Sequence, residues 1–199
     1  MVAVAGLLLV AALGTAAFFA VRPTFSFTNT LAAPVRLVVN GAAGTVGPGE
    51  TVKARVSRDR VVAEWELIRP LSADRRPLGE PVRGSWVIRS PRGAILRQAA
   101  PRVESGDYFA PLVTNATDGL LRITVNAGLD GALDCGCAVR PGAIRVFIGY
   151  YRLYQNSTVR ATDSRGRTAS FHDLGPEAAR RDWVVGLRFS PEGFAPAAD

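Results

Sequence analysis

Asp134-Cys135-Gly136-Cys137 is the stretch of this chain with the most evident chemical capacity. Two thiols one residue apart can give a metal two thiolates. A structural zinc takes four ligands, however, and His172, the only histidine, brings the set to three. The same thiols can instead oxidise to a local disulfide, labile and redox-responsive. In the plainest reading they are two small, partly buried thiols in a tight loop ahead of Val139-Arg140-Pro141-Gly142. The sequence leaves all three readings open.

Ser170, His172 and Asp173 have the residue types of a hydrolase triad. Adjacent strand residues point to opposite faces, so Asp173 is poorly placed to orient His172, which reads as a structural histidine at a strand end. The glycines between 41 and 49 lie between strands rather than before a helix, which argues against a phosphate loop. Carboxylates are scattered without a pair suited to acid–base work. Asn115-Ala116-Thr117 and Asn156-Ser157-Thr158 match the glycosylation acceptor pattern, a triplet too short to carry weight. The expectation is a protein that is not an enzyme and carries no cofactor.

A surface is the better functional candidate. Ile144 to Tyr154 reads as the longest strand, with Tyr150, Arg152 and Tyr154 on one face together with Val146 and Ile148. Tyr and Arg are enriched where interfaces concentrate their binding energy, so these three form a candidate docking stripe.

Strands are expected throughout the elements that would position these residues. Val35, Leu37 and Val39 alternate with polar neighbours; so do Val61, Ala63, Trp65 and Leu67, then Leu121, Ile123 and Val125, then Trp183, Val185, Leu187 and Phe189. Such alternation marks half-buried strands. Further candidates are Phe25–Asn29, Thr51–Val56, Trp86–Arg89, Ala94–Gln98, Tyr108–Thr114, Thr158–Thr162 and Thr168–His172. Only Pro176–Arg181 looks helical. Short strands with Gly/Pro turns predict a mainly β fold, an antiparallel β-sandwich over residues 23–190, in one unit or in two divided within 70–107. Residues 191–199 read as an extended tail. Beyond the shared alternation the chain shows no internal repeat.

Val2 to Val21 contains only Thr15 as a polar side chain, and a helix of about 20 such residues is about 30 Å long, the thickness of a bilayer core. No basic residue precedes Arg22, unlike the usual cleaved leader, so residues 1–22 read as a retained transmembrane anchor helix. Ala12, Ala16 and Ala20 recur at four-residue spacing and could let another helix approach closely. The domain beyond the anchor is expected on the extracytoplasmic, periplasmic side of a bacterial inner membrane. The formal charge is +7, nearly all from arginine, Lys53 being the only lysine. Without a nucleic-acid-binding signature, the expected partners are the lipid bilayer and other membrane-protein subunits, not nucleic acid.

In layout, the Val2–Val21 anchor, the Arg22-Pro23 exit and the Arg-rich β domain resemble the accessory subunits that hold a bacterial photosynthetic reaction centre inside its light-harvesting ring. The likeness spans the chain loosely and rests on no specific motif. With no histidine in the span to bind pigment, it implies a scaffold rather than an antenna. The function expected is thus a non-enzymatic accessory subunit of a membrane complex. The alternative is a membrane-tethered enzyme or a ligand- or metal-binding module built on the Cys135/Cys137 loop.

Overall fold

The structure is a computed structural model that describes residues 24–55, 60–89, 102–129, 133–180 and 183–194. Within these, strands dominate and divide between two hydrophobic cores. The first half holds β1 (Thr24–Asn29), β2 (Val35–Val39), β3 (Ala42–Val46), β4 (Thr51–Arg55), β5 (Arg60–Leu67), β6 (Arg83–Arg89) and β7 (Arg102–Val103). One sheet runs β4-β1-β7 and the other β3-β2-β5-β6. They close over Phe27, Val35, Leu37, Val46, Val61, Trp65 and Val103, with Phe27 and Trp86 stacked at 5.5 Å.

The second half holds β8 (Tyr108–Asn115), β9 (Leu121–Val125), β10 (Leu133–Val139), β11 (Val146–Phe147), β12 (Tyr151–Arg152), β13 (Val159–Thr162), β14 (Thr168–Phe171), a short helix α1 (Leu174–Arg180) and β15 (Val184–Phe189). One sheet runs β10-β9-β13-β14, and in the other β8 pairs with β11, β12 and β15. Phe109, Val113, Leu121, Ile123, Val159 and Phe189 fill the second core.

Alternation explains the register. Val61, Ala63, Trp65 and Leu67 are buried while Glu64 and Glu66 are exposed, and Leu121, Ile123 and Val125 are buried around an exposed Arg122. Each Val, Leu or Ile side chain buried in this way stabilises by about 1.5–3 kcal/mol, and a one-residue slip would turn the whole set to solvent.

The two halves repeat one another, contrary to the expectation of no internal repeat. Thr28-Asn29 corresponds to Thr114-Asn115, Val35 through Asn40 to Leu121 through Asn126, and Val46 through Gly49 to Val139 through Gly142. Asn29 is buried, and its amide donates to the carbonyls of Ala33, Val46 and Gly47 at 3.0, 3.0 and 3.1 Å. Asn115, equally buried, donates to the carbonyls of Gly119 and Val139 at 2.8 and 2.9 Å. The side-chain carbonyl of each accepts a backbone N–H two residues on, from Leu31 and Thr117. The backbone carbonyl of each accepts from the Gly49 or Gly142 N–H that follows a proline. Asn40 and Asn126 end β2 and β9 with φ of 48° and 56°, a left-handed conformation that Asn tolerates better than most residues.

Other expectations need revision. The sheets are not wholly antiparallel: β7 runs parallel to β1, and β15 parallel to β8, at the same place in each half. Ile144–Tyr154 is not one strand. Between Phe147 and Tyr151 it has three residues facing two on β8, a one-residue bulge with Gly149 at φ 113°. The expected tail opens with a 3-10 turn at Pro191–Gly193 and then buries Phe194 against Phe189. The Ala94–Gln98 strand and the 1–22 anchor lie outside the described residues, among which no helix is long and apolar enough to cross a membrane.

Candidate functional site

The most distinctive local structure is the junction of the two halves. The loop from β5 to β6 carries Leu78 and Gly79 up to the bulge that separates β11 from β12. A Cβ on Gly79 would lie 2.6 Å from the Tyr150 carbonyl oxygen, and one on Gly149 would lie 2.9 Å from the Gly79 Cα. Both glycines have positive φ, 69° and 113°, so neither the space nor the backbone admits another residue without strain. The Glu80 N–H donates to the Tyr150 carbonyl at 2.7 Å, and the Arg152 N–H donates to Glu80 Oε1 at 3.0 Å. Arg69 donates from its guanidinium to the Gly79 carbonyl at 3.2 Å.

Each half places a side chain in the other's core. Leu78 packs with the second core; Tyr150 and Ala110 pack with the first. The Tyr150 ring meets Phe147 edge-on at 5.7 Å, and its hydroxyl accepts the Ala32 N–H at 2.8 Å. Burial disfavours the phenolate and raises the Tyr150 pKa above the ordinary 10.0, the Ala32 N–H opposing the shift.

The expected docking stripe therefore divides. Tyr150 is 1% exposed and is not available to a separate partner; it docks within its own chain. Arg152 is exposed and Tyr154 half-buried. The bulge causes the difference, since one extra residue rotates successive side chains relative to a regular strand. Ala12, Ala16 and Ala20 lie outside the described residues.

Cys135 and Cys137 are joined in a disulfide and both are buried. They sit on β10, an outer strand of its sheet, where Cys135 and Gly136 form an irregularity between the pairs Asp134–Thr124 and Cys137–Ile123. Of the three readings open from sequence, the structure takes the disulfide. His172 is exposed just past β14, and among the described residues no cluster of three or more His, Cys, Asp or Glu could hold a metal.

Two concavities stand out among the described residues. An open groove of about 660 Å³ crosses the outer face of the first half, where Arg36, Glu66 and Arg83 are cross-strand neighbours on β2, β5 and β6. This alternation of sign suits a solvated sheet face. A smaller cavity of about 240 Å³ lies where Trp183 meets Thr30, Leu31, Arg102 and Glu104; the Ser105 hydroxyl lining it is buried without a hydrogen-bond partner among the described residues.

Sequence reasoning missed Asn29, Gly79, Gly149 and Leu78. The repeated Thr-Asn and Pro-Gly pairs were a usable signal for the first; nothing local pointed to the others. No family model matches the chain, and no curated protein is detectably similar to it.

Proposed function

We propose that this protein is a non-enzymatic accessory subunit of a bacterial membrane complex, tethered by residues 1–22 and bracing an extrinsic face of its partners. The exchange of Leu78 and Tyr150 between the cores carries the reading. Two units joined through a hinge would move independently, as domains with small polar interfaces do by default. Units that bury side chains in one another transmit position, which is what a brace requires. The apolar run Val2–Val21 supports the tether, with the double sandwich on the periplasmic side of the inner membrane. The small-residue face of Ala12, Ala16 and Ala20 would meet a partner helix.

Layout makes the photosynthetic reaction centre–light-harvesting complex the first assembly in which to look. A tethered enzyme or metal-binding module is the weaker reading, because Cys135 and Cys137 are bonded to each other and buried. Purification of the tagged native chain in mild detergent tests the proposal. Stoichiometric recovery with other membrane subunits is expected; a chain that elutes alone as a monomer overturns it.

A further inference from the structure

We infer that the turn from Arg140 to Arg145 is a docking knob that places Ile144 in an apolar pocket rimmed by carboxylates on a partner protein. This rests on the accessory-subunit reading above. The two halves differ at this turn. In the first, Gly47-Pro48-Gly49-Glu50 leads into β4 through Thr51; in the second, Arg140-Pro141-Gly142-Ala143 leads into β11 through Ile144 and Arg145. Hydrogen bonds fix the equivalence: the Asn29 N–H donates to the Glu50 carbonyl at 3.0 Å, and the Asn115 N–H to the Ala143 carbonyl at 2.9 Å. Val52 and Val146 then pair with Phe27 and Val113, each two residues before its asparagine. The second half therefore has one residue more between turn and strand.

An extra residue re-aims the side chains around it. Ile144 is 76% exposed, the most of any large hydrophobic side chain among the described residues, and Arg145 has a left-handed φ of 51°. A lone exposed isoleucine is ordinary, but one displayed at the cost of an unfavourable arginine backbone points to a contact with another molecule. The turn is also fixed before any partner arrives. The Gly142 N–H donates to the Asn115 carbonyl at 3.0 Å, the Ala143 N–H to the Arg140 carbonyl at 3.2 Å, and the Arg145 N–H to Thr114 Oγ1 at 3.1 Å. A knob held in this way loses little conformational freedom on docking.

Charge sets the chemistry of the pocket. Arg140 and Arg145 are exposed on either side of Ile144, and Arg145 Nη1 lies 3.5 Å from the place of a Cβ on Gly186, so its guanidinium reaches across β8 towards β15. Arg122 and Arg165 are exposed at the same end of the sandwich, and among the described residues none of the four has an ion pair. The acids there are mostly engaged: Asp163 pairs with Arg167 at 2.8 Å and Glu192 is held by Ser190 and Arg188, which leaves Asp118. An apolar tip within positive charge is complementary to an apolar pocket within carboxylates. β1 runs from Thr24 towards the junction and β8 from the junction to Asn115, so the knob is at the opposite end of the double sandwich from the residue that follows the apolar run. This favours a protein face over the anchoring bilayer.

The test puts the photo-cross-linking residue p-benzoylphenylalanine at position 144 of the full chain and irradiates native membranes. A cross-link to one other polypeptide is expected, at a peptide that carries Asp or Glu beside apolar residues; the same probe at position 51 should not give that product. Ile144→Asp should lower recovery of that polypeptide in mild detergent by roughly tenfold or more, and Ile144→Leu should retain it. Arg140→Glu/Arg145→Glu should lower recovery in low salt. A cross-link to lipid, to a second copy of this chain or to nothing overturns the knob. So does unchanged recovery with Ile144→Asp in a chain that keeps its circular dichroism. An unaltered chain that elutes alone in mild detergent overturns the accessory-subunit reading instead, so the two failures are distinct.

Discussion

Leu78 and Tyr150 trade places across the junction: Leu78, from the first half, is buried in the second core, and Tyr150, from the second half, is buried in the first. Neither core is complete without the other half, so the two sandwiches should unfold together. Tyr150→Phe removes the acceptor of the Ala32 N–H and should cost about 1–3 kcal/mol. Tyr150→Ala should cost about 3–5 kcal/mol, by analogy with other aromatic truncations, and split the urea transition into two. Circular dichroism and tryptophan fluorescence, followed together, check this.

The same residue sets an alkaline limit. Its folded pKa is raised, so its contribution is complete below the ordinary 10.0 and is lost as pH rises from there through the folded value. Stability should fall above pH 10.0, and Tyr150→Phe should flatten that part of the profile. Urea midpoints measured across the alkaline range decide it.

Gly79→Ala should destabilise by more than the roughly 1 kcal/mol typical of an unfavourable φ alone, because the added methyl meets the Tyr150 backbone. Gly142→Ala provides the contrast. Gly142 also has positive φ, 71°, but a Cβ there would meet nothing within 4 Å, so only the conformational cost should appear. Thermal melts of the two variants should differ clearly.

Asn29→Ala and Asn115→Ala should have similar effects, each stranding backbone carbonyls in its own half at about 1–3 kcal/mol. Hydrogen exchange should show the first loss of protection around β3 after Asn29→Ala and around β10 after Asn115→Ala. Protection lost equally in both halves would contradict the repeat's assigned role.

How far the sequence revealed this design depended on which side chains carried the signal. β2, β5, β9 and β15 were legible because their buried faces alternate with charged residues such as Arg36, Glu64 and Arg122. β3 was not, since Ala42, Ala43, Gly44 and Thr45 are all exposed and leave no apolar period. The break at Gly149 and the burial of Tyr150 depend on Gly79, distant in sequence, so an alternation pattern read them as one strand with a free face. The repeat went unseen because it is carried by short, separated matches, Asn29 with Asn115, Val35–Asn40 with Leu121–Asn126 and the two Pro-Gly pairs, whose apolar members look like any half-buried strand.

Reducing the Cys135–Cys137 bond should cost at most about 1.5 kcal/mol, since a loop this short restricts the unfolded chain little. Replacing both cysteines by Ser should lower the melting temperature slightly and leave recovery with the proposed membrane partners unchanged. Loss of those partners would move the functional weight to this loop.

Alkaline carbonate washing of native membranes, followed by intact-mass measurement of the chain, addresses the proposed tether most directly. The account predicts that the full-length polypeptide stays in the membrane pellet with residues 1–22 attached. Recovery of a shortened form, free in the wash, would contradict it.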